Sequence, residues 1–153
     1  MQESSITKKI TLDPKYLTKK INKHIIKQLE KDTKDDCSKQ FGHILKILKI
    51  EQIIDNENTS FVIKFTAKTL KPEKDKILNG KVFKIYKDGI FIDVLGKQKI
   101  LIPSLNLTNY TFDEENNIYK SKENTIKQDD EIKVQIVAVK YIKGKFSCFG
   151  CLA

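Results

Sequence analysis

The sequence predicts an α+β chain of two modules: a strand–helix–strand–strand unit, then a five-stranded β-barrel. Three observations predict it. A four-residue apolar period occurs once, from Leu17 to Leu29. Short Ile-, Val- and Phe-rich runs bounded by turn residues fill most of the remainder. A charged stretch carrying a proline, Lys71-Pro72-Glu73-Lys74-Asp75-Lys76, separates the two halves, so the modules are expected at 1–77 and 78–153.

The first module opens with Ile6 to Leu12, which alternates loosely as a strand does. Asp13-Pro14 reads as an N-cap followed by proline at the first helical position. Leu17, Ile21, Ile25 and Leu29 then recur every four residues, with Lys19, Lys20, Lys23, Lys27 and Lys31 largely on the other faces, as on an amphipathic helix ending near 31–34. The run Ile44-Leu45-Lys46-Ile47-Leu48-Lys49-Ile50 fits a helix on spacing alone. Its Ile content and its position directly after Gly42 favour a strand. Asp55 to Ser60 is expected as a turn, rich in residues that bond their own backbone. Phe61 to Ala67 is a strand with Phe61, Ile63 and Phe65 on one side.

The second module begins with Gly80-Lys81-Val82. It continues through Asp88-Gly89-Ile90-Phe91-Ile92-Asp93-Val94 to Ile100-Leu101-Ile102-Pro103. Asp88-Gly89 is a hairpin signal, because glycine tolerates the positive φ of a tight primed turn; Gly96-Lys97 marks the next turn. A polar insert is expected from Asn106 to Asp130, anchored by Thr111-Phe112 and Ile118-Tyr119. Two strands, Ile132 to Tyr141 and Lys145 to Leu152, join at Lys143-Gly144. Five short strands with one long connection is the strand count of an OB-fold, a small barrel frequent among nucleic-acid readers.

Composition narrows the partners. The chain has 153 residues and a formal charge of +9, and all 29 of its basic residues are Lys. Lysines are point charges on flexible stems, suited to loose phosphate attraction more than to bidentate base reading. An AT-rich genome produces the same bias without any functional cause. No run approaches the roughly 20 apolar residues of a membrane span, and the N-terminus lacks the apolar core of a secretory signal. Three cysteines do not make a disulfide framework, and an intracellular, reducing setting is expected.

The catalytic and metal readings are nearly empty. Cys148-Phe149-Gly150-Cys151 has CxxC spacing, but a structural zinc needs four ligands. Only Cys37, His24 and His43 remain, far away in sequence. The pair is read as barrel core and edge. Ser104 lacks nucleophile-elbow glycines, no glycine-rich phosphate loop is present, and the acidic runs read as solvated faces. No cofactor is expected. The RNA-binding case is better: Lys84, Tyr86, Lys87 and Phe91 interleave cations with aromatic rings on the first barrel strands. Alternation puts Phe91 on the outer face with Asp93, whereas Phe83 is assigned to the barrel core.

The order of these motifs resembles the stalk-subunit family of multisubunit RNA polymerases, which comprises the seventh subunit of RNA polymerase II and its archaeal counterpart. The resemblance is carried by Ile10-Thr11-Leu12-Asp13-Pro14, Gln40-Phe41-Gly42-His43-Ile44-Leu45, Phe61 to Ala67 with Leu70-Lys71-Pro72, and Asn79-Gly80-Lys81-Val82. Asp88-Gly89-Ile90-Phe91, Leu107-Thr108, Phe112 and Tyr119-Lys120-Ser121 complete it. It implies an N-terminal tip domain that docks on the polymerase core through Asp13, Pro14, Phe41, Gly42 and His43. It implies contact with a smaller helical partner subunit through Phe65, Leu70, Lys71 and Pro72, and single-stranded nascent RNA on the barrel. Nuclear localisation follows from the same resemblance, or the cytoplasm or a virion if a large DNA virus encodes the chain. Related barrels of the ribosomal S-one type often carry an aromatic residue and a histidine where this chain has Asp88 and Pro103, which lowers the RNA affinity expected. The alternative is a free-standing OB-fold RNA-binding protein of translation or RNA decay, which has no need of a preceding tip-like unit.

Overall fold

A computed structural model describes residues 2–153. The chain divides into two compact units, Met1–Lys71 and Pro72–Ala153. The segment just after Pro72 already belongs to the second unit's hydrogen bonding: Asp75 N–H donates to the Ile136 carbonyl, and Ile136 N–H donates to that of Lys76.

In the first unit, β1 (Gln2–Thr11), β3 (Gly42–Glu57) and β4 (Ser60–Leu70) form an antiparallel sheet. A two-residue strand, β2 (Cys37–Ser38), completes it in the order β1-β4-β3-β2. The helix α1 (Ile21–Thr33) covers one face. Along β1 the period is two: Ile6 lies opposite Phe65 and Ile10 opposite Phe61, all four buried. From α1, Ile25, Leu29 and Thr33 are buried, and the Thr33 hydroxyl donates to the Leu29 carbonyl at 2.7 Å. This helix starts later than the sequence predicts. Asp13 caps only a short 3₁₀ turn, Pro14–Tyr16, and Leu17 lies outside the helix and is exposed. His24 stacks on Tyr16, with ring centroids 4.5 Å apart.

The ambiguous spacing of residues 44–53 has a structural cause. Residues 43–57 of β3, 15 in all, face the 11 of β4, and the excess is absorbed by register shifts at Ile44/Lys46, Ile47/Lys49, Ile50/Gln52 and Ile53/Asp55. A bulge puts two residues opposite one. Repeated every third residue, it keeps Ile44, Ile47, Ile50 and Ile53 opposite Thr69, Ala67, Phe65 and Ile63, on the helix-covered face. A period of three therefore reads as strand here. The bulged strand also runs through Asp55-Asn56-Glu57, expected as turn; the reversal is only Asn58-Thr59, with Asn58 at φ 56°.

The second unit is a closed barrel. The strands β5 (Ile77–Tyr86), β6 (Gly89–Val94), β7 (Gln98–Pro103), β11 (Glu131–Ile142) and β12 (Lys145–Leu152) pair in the order β11-β12-β7-β6-β5, and β11 returns to β5. Val82, Ile90, Ile92, Ile100, Ile102, Val134 and Ile136 fill the interior, each fully buried. Cys148 belongs to this core, and Cys151 is half-buried at its margin. The β5–β6 loop is Lys87-Asp88, and neither residue has positive φ. Gly89 therefore does not supply a primed turn. A Cβ there would come within 2.4 Å of the Ile102 carbonyl oxygen, so glycine allows β6 and β7 to approach.

The insert is more ordered than its polarity predicts. Its strands β8 (Thr111–Asp113), β9 (Ile118–Lys120) and β10 (Thr125–Ile126) form a separate three-stranded sheet. Tyr119 is 2% exposed, and its hydroxyl donates to the Tyr86 carbonyl, with that of Lys87 2.9 Å away. Burial, and then the Asp88 carboxylate, push the Tyr119 phenol above its ordinary range, so it stays a proton donor. The insert thus braces the turn between the first two barrel strands.

Candidate nucleic-acid interface

The outer face of β5, β6 and β7 carries the candidate site. Cross-strand registers align Lys84 with Phe91, Phe91 with Leu101, and Leu101 with Phe149 of β12. This row runs across four strands, with a cation at one end and a ring 41% exposed at the other. Phe91 is half-buried on the outer side, as its pairing with Asp93 in the alternation requires. Tyr86, 48% exposed, meets it edge-on, with ring centroids 6.0 Å apart and planes at 89°. Lys84 and Lys87 are exposed beside these rings. Of the four residues expected from sequence to meet RNA, barrel registry places Lys84, Tyr86 and Phe91 on one surface, and Lys87 is exposed in the loop that follows.

Phe83, expected in the core, lies outside it. The ring is 44% exposed. Val82 pairs with Ile92 and Lys84 with Phe91, so Phe83 is the extra residue of a bulge. Val82 and Ile85 both point inward, and Phe83 and Lys84 both point outward. The sequence carries a signal for this: two β-branched residues three apart on a barrel strand cannot both be interior without one extra residue between them. Lys99 lies over the Phe83 ring, 4.3 Å from its centroid, and is itself bonded to Asp93 at 2.6 Å. Neither Lys99 nor Phe149 is marked in sequence as part of this surface. Each becomes part of it only through pairing between distant strands.

The docking residues read from the first module do not form one patch. Phe41, Gly42 and His43 lie where β3 starts, at the Leu70 end of β4. Asp13 and Pro14 follow β1, whose last residue pairs with Ser60 at the other end of β4. The ten steps between Ser60 and Leu70 span about 30 Å at roughly 3.3 Å per residue. Phe41 is half-buried against the unit's core, and His43 Nε2 is 3.8 Å from Cys37 Sγ. Gly42 is buried at φ 76°, with no space for a side chain. Of the residues implied to meet a partner subunit, Phe65 and Leu70 are fully buried and Pro72 is buried. Their side chains have no surface to offer, and Lys71 is the one partly exposed. Among the described residues, no group of three or more His, Cys, Asp or Glu is placed to hold a metal.

A five-stranded closed barrel with rings and lysines on its first three strands is an OB-fold of the nucleic-acid-reading kind. The chain belongs to the S1 RNA binding domain family, which it matches over residues 71–148. It is also similar to DNA-directed RNA polymerase II subunit RPB7 of Saccharomyces cerevisiae, at 25% identity over 138 residues, 83% of this chain and 80% of that one. Among solved structures it resembles GSP13 from Bacillus subtilis, with a TM-score of 0.41 at 21% identity, over 54% of this chain and 56% of that one. The apo form of Mycoplasma genitalium RNase R matches with a TM-score of 0.40 at 18% identity, over 50% of this chain and 13% of that one.

Proposed function

We propose that the chain is a non-catalytic, stalk-type subunit of a DNA-directed RNA polymerase that holds emerging RNA on its barrel. The observation that carries this reading is the extent of the similarity to RPB7. It covers 83% of the chain, more than the S1 barrel alone accounts for. A free-standing RNA reader has no use for the preceding sheet-and-helix unit. In this reading the first unit docks on the polymerase core beside a smaller helical subunit. The barrel face around Phe91 stacks on single-stranded RNA while Lys84 and Lys87 neutralise phosphates. Without arginine, the contact is sequence-tolerant.

The test is affinity purification of the tagged full chain from its native cell, with mass-spectrometric identification of what accompanies it. Polymerase core subunits and a small helical partner are expected. Recovery of RNA or ribosomal material without polymerase subunits would overturn the stalk reading in favour of a free-standing S1 protein. For the barrel itself, Phe91→Ala is expected to weaken single-stranded RNA binding by about 1–3 kcal/mol.

A further inference from the structure

We propose that Phe83 and the groove beside it form a second nucleotide site, separate from the Tyr86–Phe91 pair, that takes a stacked base of single-stranded nucleic acid. The inference rests on the RNA-binding reading of the barrel and extends it to a part of the surface that reading does not use.

The bulge in β5 sets the direction of the ring. An inward Phe83 would need no explanation, but the extra residue between Val82 and Lys84 turns this ring outward. A phenylalanine left 44% exposed costs the barrel burial it could have had. The ring is also held. Asp93 fixes the Lys99 ammonium at 2.6 Å, and that ammonium sits 4.3 Å from the ring centroid. One face of the ring is thus covered by a cation whose own counter-ion is in place, an arrangement that attracts the ring electrostatically. Lys84 also approaches the ring, its ammonium 5.8 Å from the centroid, and the residue as a whole remains 44% exposed. A held aromatic that stays nearly half exposed is a stacking platform, with little side-chain entropy left to lose when a base lands on it.

The platform is continuous with a groove. Lys81 is two residues upstream on β5, and Asp93 both pairs with Lys81 and holds Lys99. Lys81, Asp93 and Glu131, the last paired with Lys81 across the strands, also line an open groove of about 560 Å³, together with Leu95, Ile132 and Lys133. This is within the size range of small-ligand clefts, about 300–1,000 Å³. Leu95, 56% exposed at φ 55°, and the half-buried Ile132 give it an apolar wall. Lys81 and Lys133 supply its cations, beside the carboxylates of Asp93 and Glu131. The chemistry fits a base followed by its backbone: a ring to stack on, an apolar wall for the next base, and cations without directional demand. A protein partner would be served better by a broad apolar patch than by one ring among lysines.

The chain contains no tryptophan, so Phe83→Trp creates a sole indole reporter at this position. Titration with a short oligouridylate is expected to quench its fluorescence, with the midpoint that anisotropy of the labelled oligonucleotide gives for the same protein. Phe83→Ala is expected to lower affinity about tenfold, by loss of one stacked base. Its thermal unfolding should be unchanged, because the side chain is outside the core. If wild-type protein binds and Phe91→Ala weakens binding, yet Phe83→Trp is unquenched and Phe83→Ala binds normally, this site is refuted while the RNA reading stands. Phe83 would then be a protein contact. If wild-type protein does not bind the oligonucleotide at all, both readings fall together.

Discussion

Gly42→Ala tests the account of the first unit most sharply, because a single methyl group must fit where the backbone leaves no room. Gly42 has φ 76°, a conformation that costs a residue with a Cβ about 1–2 kcal/mol. The added Cβ would also lie 2.2 Å from the Leu70 carbonyl oxygen, 2.6 Å from Lys71 Cα and 2.8 Å from the Leu70 carbonyl carbon. Ordinary contact requires roughly 1 Å more. All three atoms are backbone, so no rotamer change relieves the clash, and the ladder must open where His43 pairs with Leu70 and Ile44 with Thr69. Losing one or two ladder bonds adds about 1 kcal/mol each, for a total of about 2–4 kcal/mol. That is a large share of the stability of an ordinary domain.

Hydrogen exchange read by mass spectrometry, resolved by unit, is the suitable assay. Protection in β3 and β4 should fall sharply in the variant, with the barrel strands unchanged. A measured cost under about 1 kcal/mol, with β3 protection intact, would refute the reasoning. The result bears on function too. Gly42→Asp, at a position the resemblance implies for docking, would disorder the sheet and not simply remove a surface contact. A docking test belongs on the exposed Asp13 or Pro14 instead.

Tyr119→Phe removes the donor that bridges the insert to the Tyr86 and Lys87 carbonyls, and should cost about 1 kcal/mol in denaturant unfolding. It should also speed amide exchange at the β5–β6 turn. Lys46 lies directly opposite Lys68, a like-charge pair. Lys46→Glu should therefore stabilise the first unit by about 0.2–1 kcal/mol at low salt, and a smaller gain at high salt would confirm the electrostatic origin. Hydrogen bonds from Asn116 and Lys120 hold Asp113 down to about 2 from an ordinary 3.8. Its folded value is depressed, so its support for the β8–β9 hairpin is present above about pH 3.8 and lost as pH falls through about 2. Carboxyl chemical shifts followed by NMR through that window should give the midpoint, and one near 3.8 would contradict the contact.

Much of the fold was legible in local sequence. Strict alternation in Ile90-Phe91-Ile92-Asp93 orients β6 correctly, because successive side chains on a strand face opposite sides whatever surrounds them. The spacing of Ile25 and Leu29 marks the helix face for the same kind of reason. Its start was not legible, since Asp13-Pro14 is equally good chemistry for opening a 3₁₀ turn. The clustering of Lys84, Tyr86, Lys87 and Phe91 could be read because they sit on one hairpin. Phe149 could not, because it joins that surface only by a parallel pairing with Leu101, forty-eight residues away in sequence.

What the sequence determined alone is the main elements and the surface chemistry: one amphipathic helix, alternating barrel strands and a lysine-only positive charge. These depend on neighbours within a few residues. The tertiary structure decided where strands carry more residues than their partners. Four shifts along β3 turn a three-residue period into one side of the sheet, buried at Ile47 and half-buried at Ile44 and Ile50, and one shift in β5 moves Phe83 from core to surface. A bulge is a property of a pair of strands: the spacing of Val82 and Ile85 signals that one can occur, but only the length and packing of the partner strand fix it.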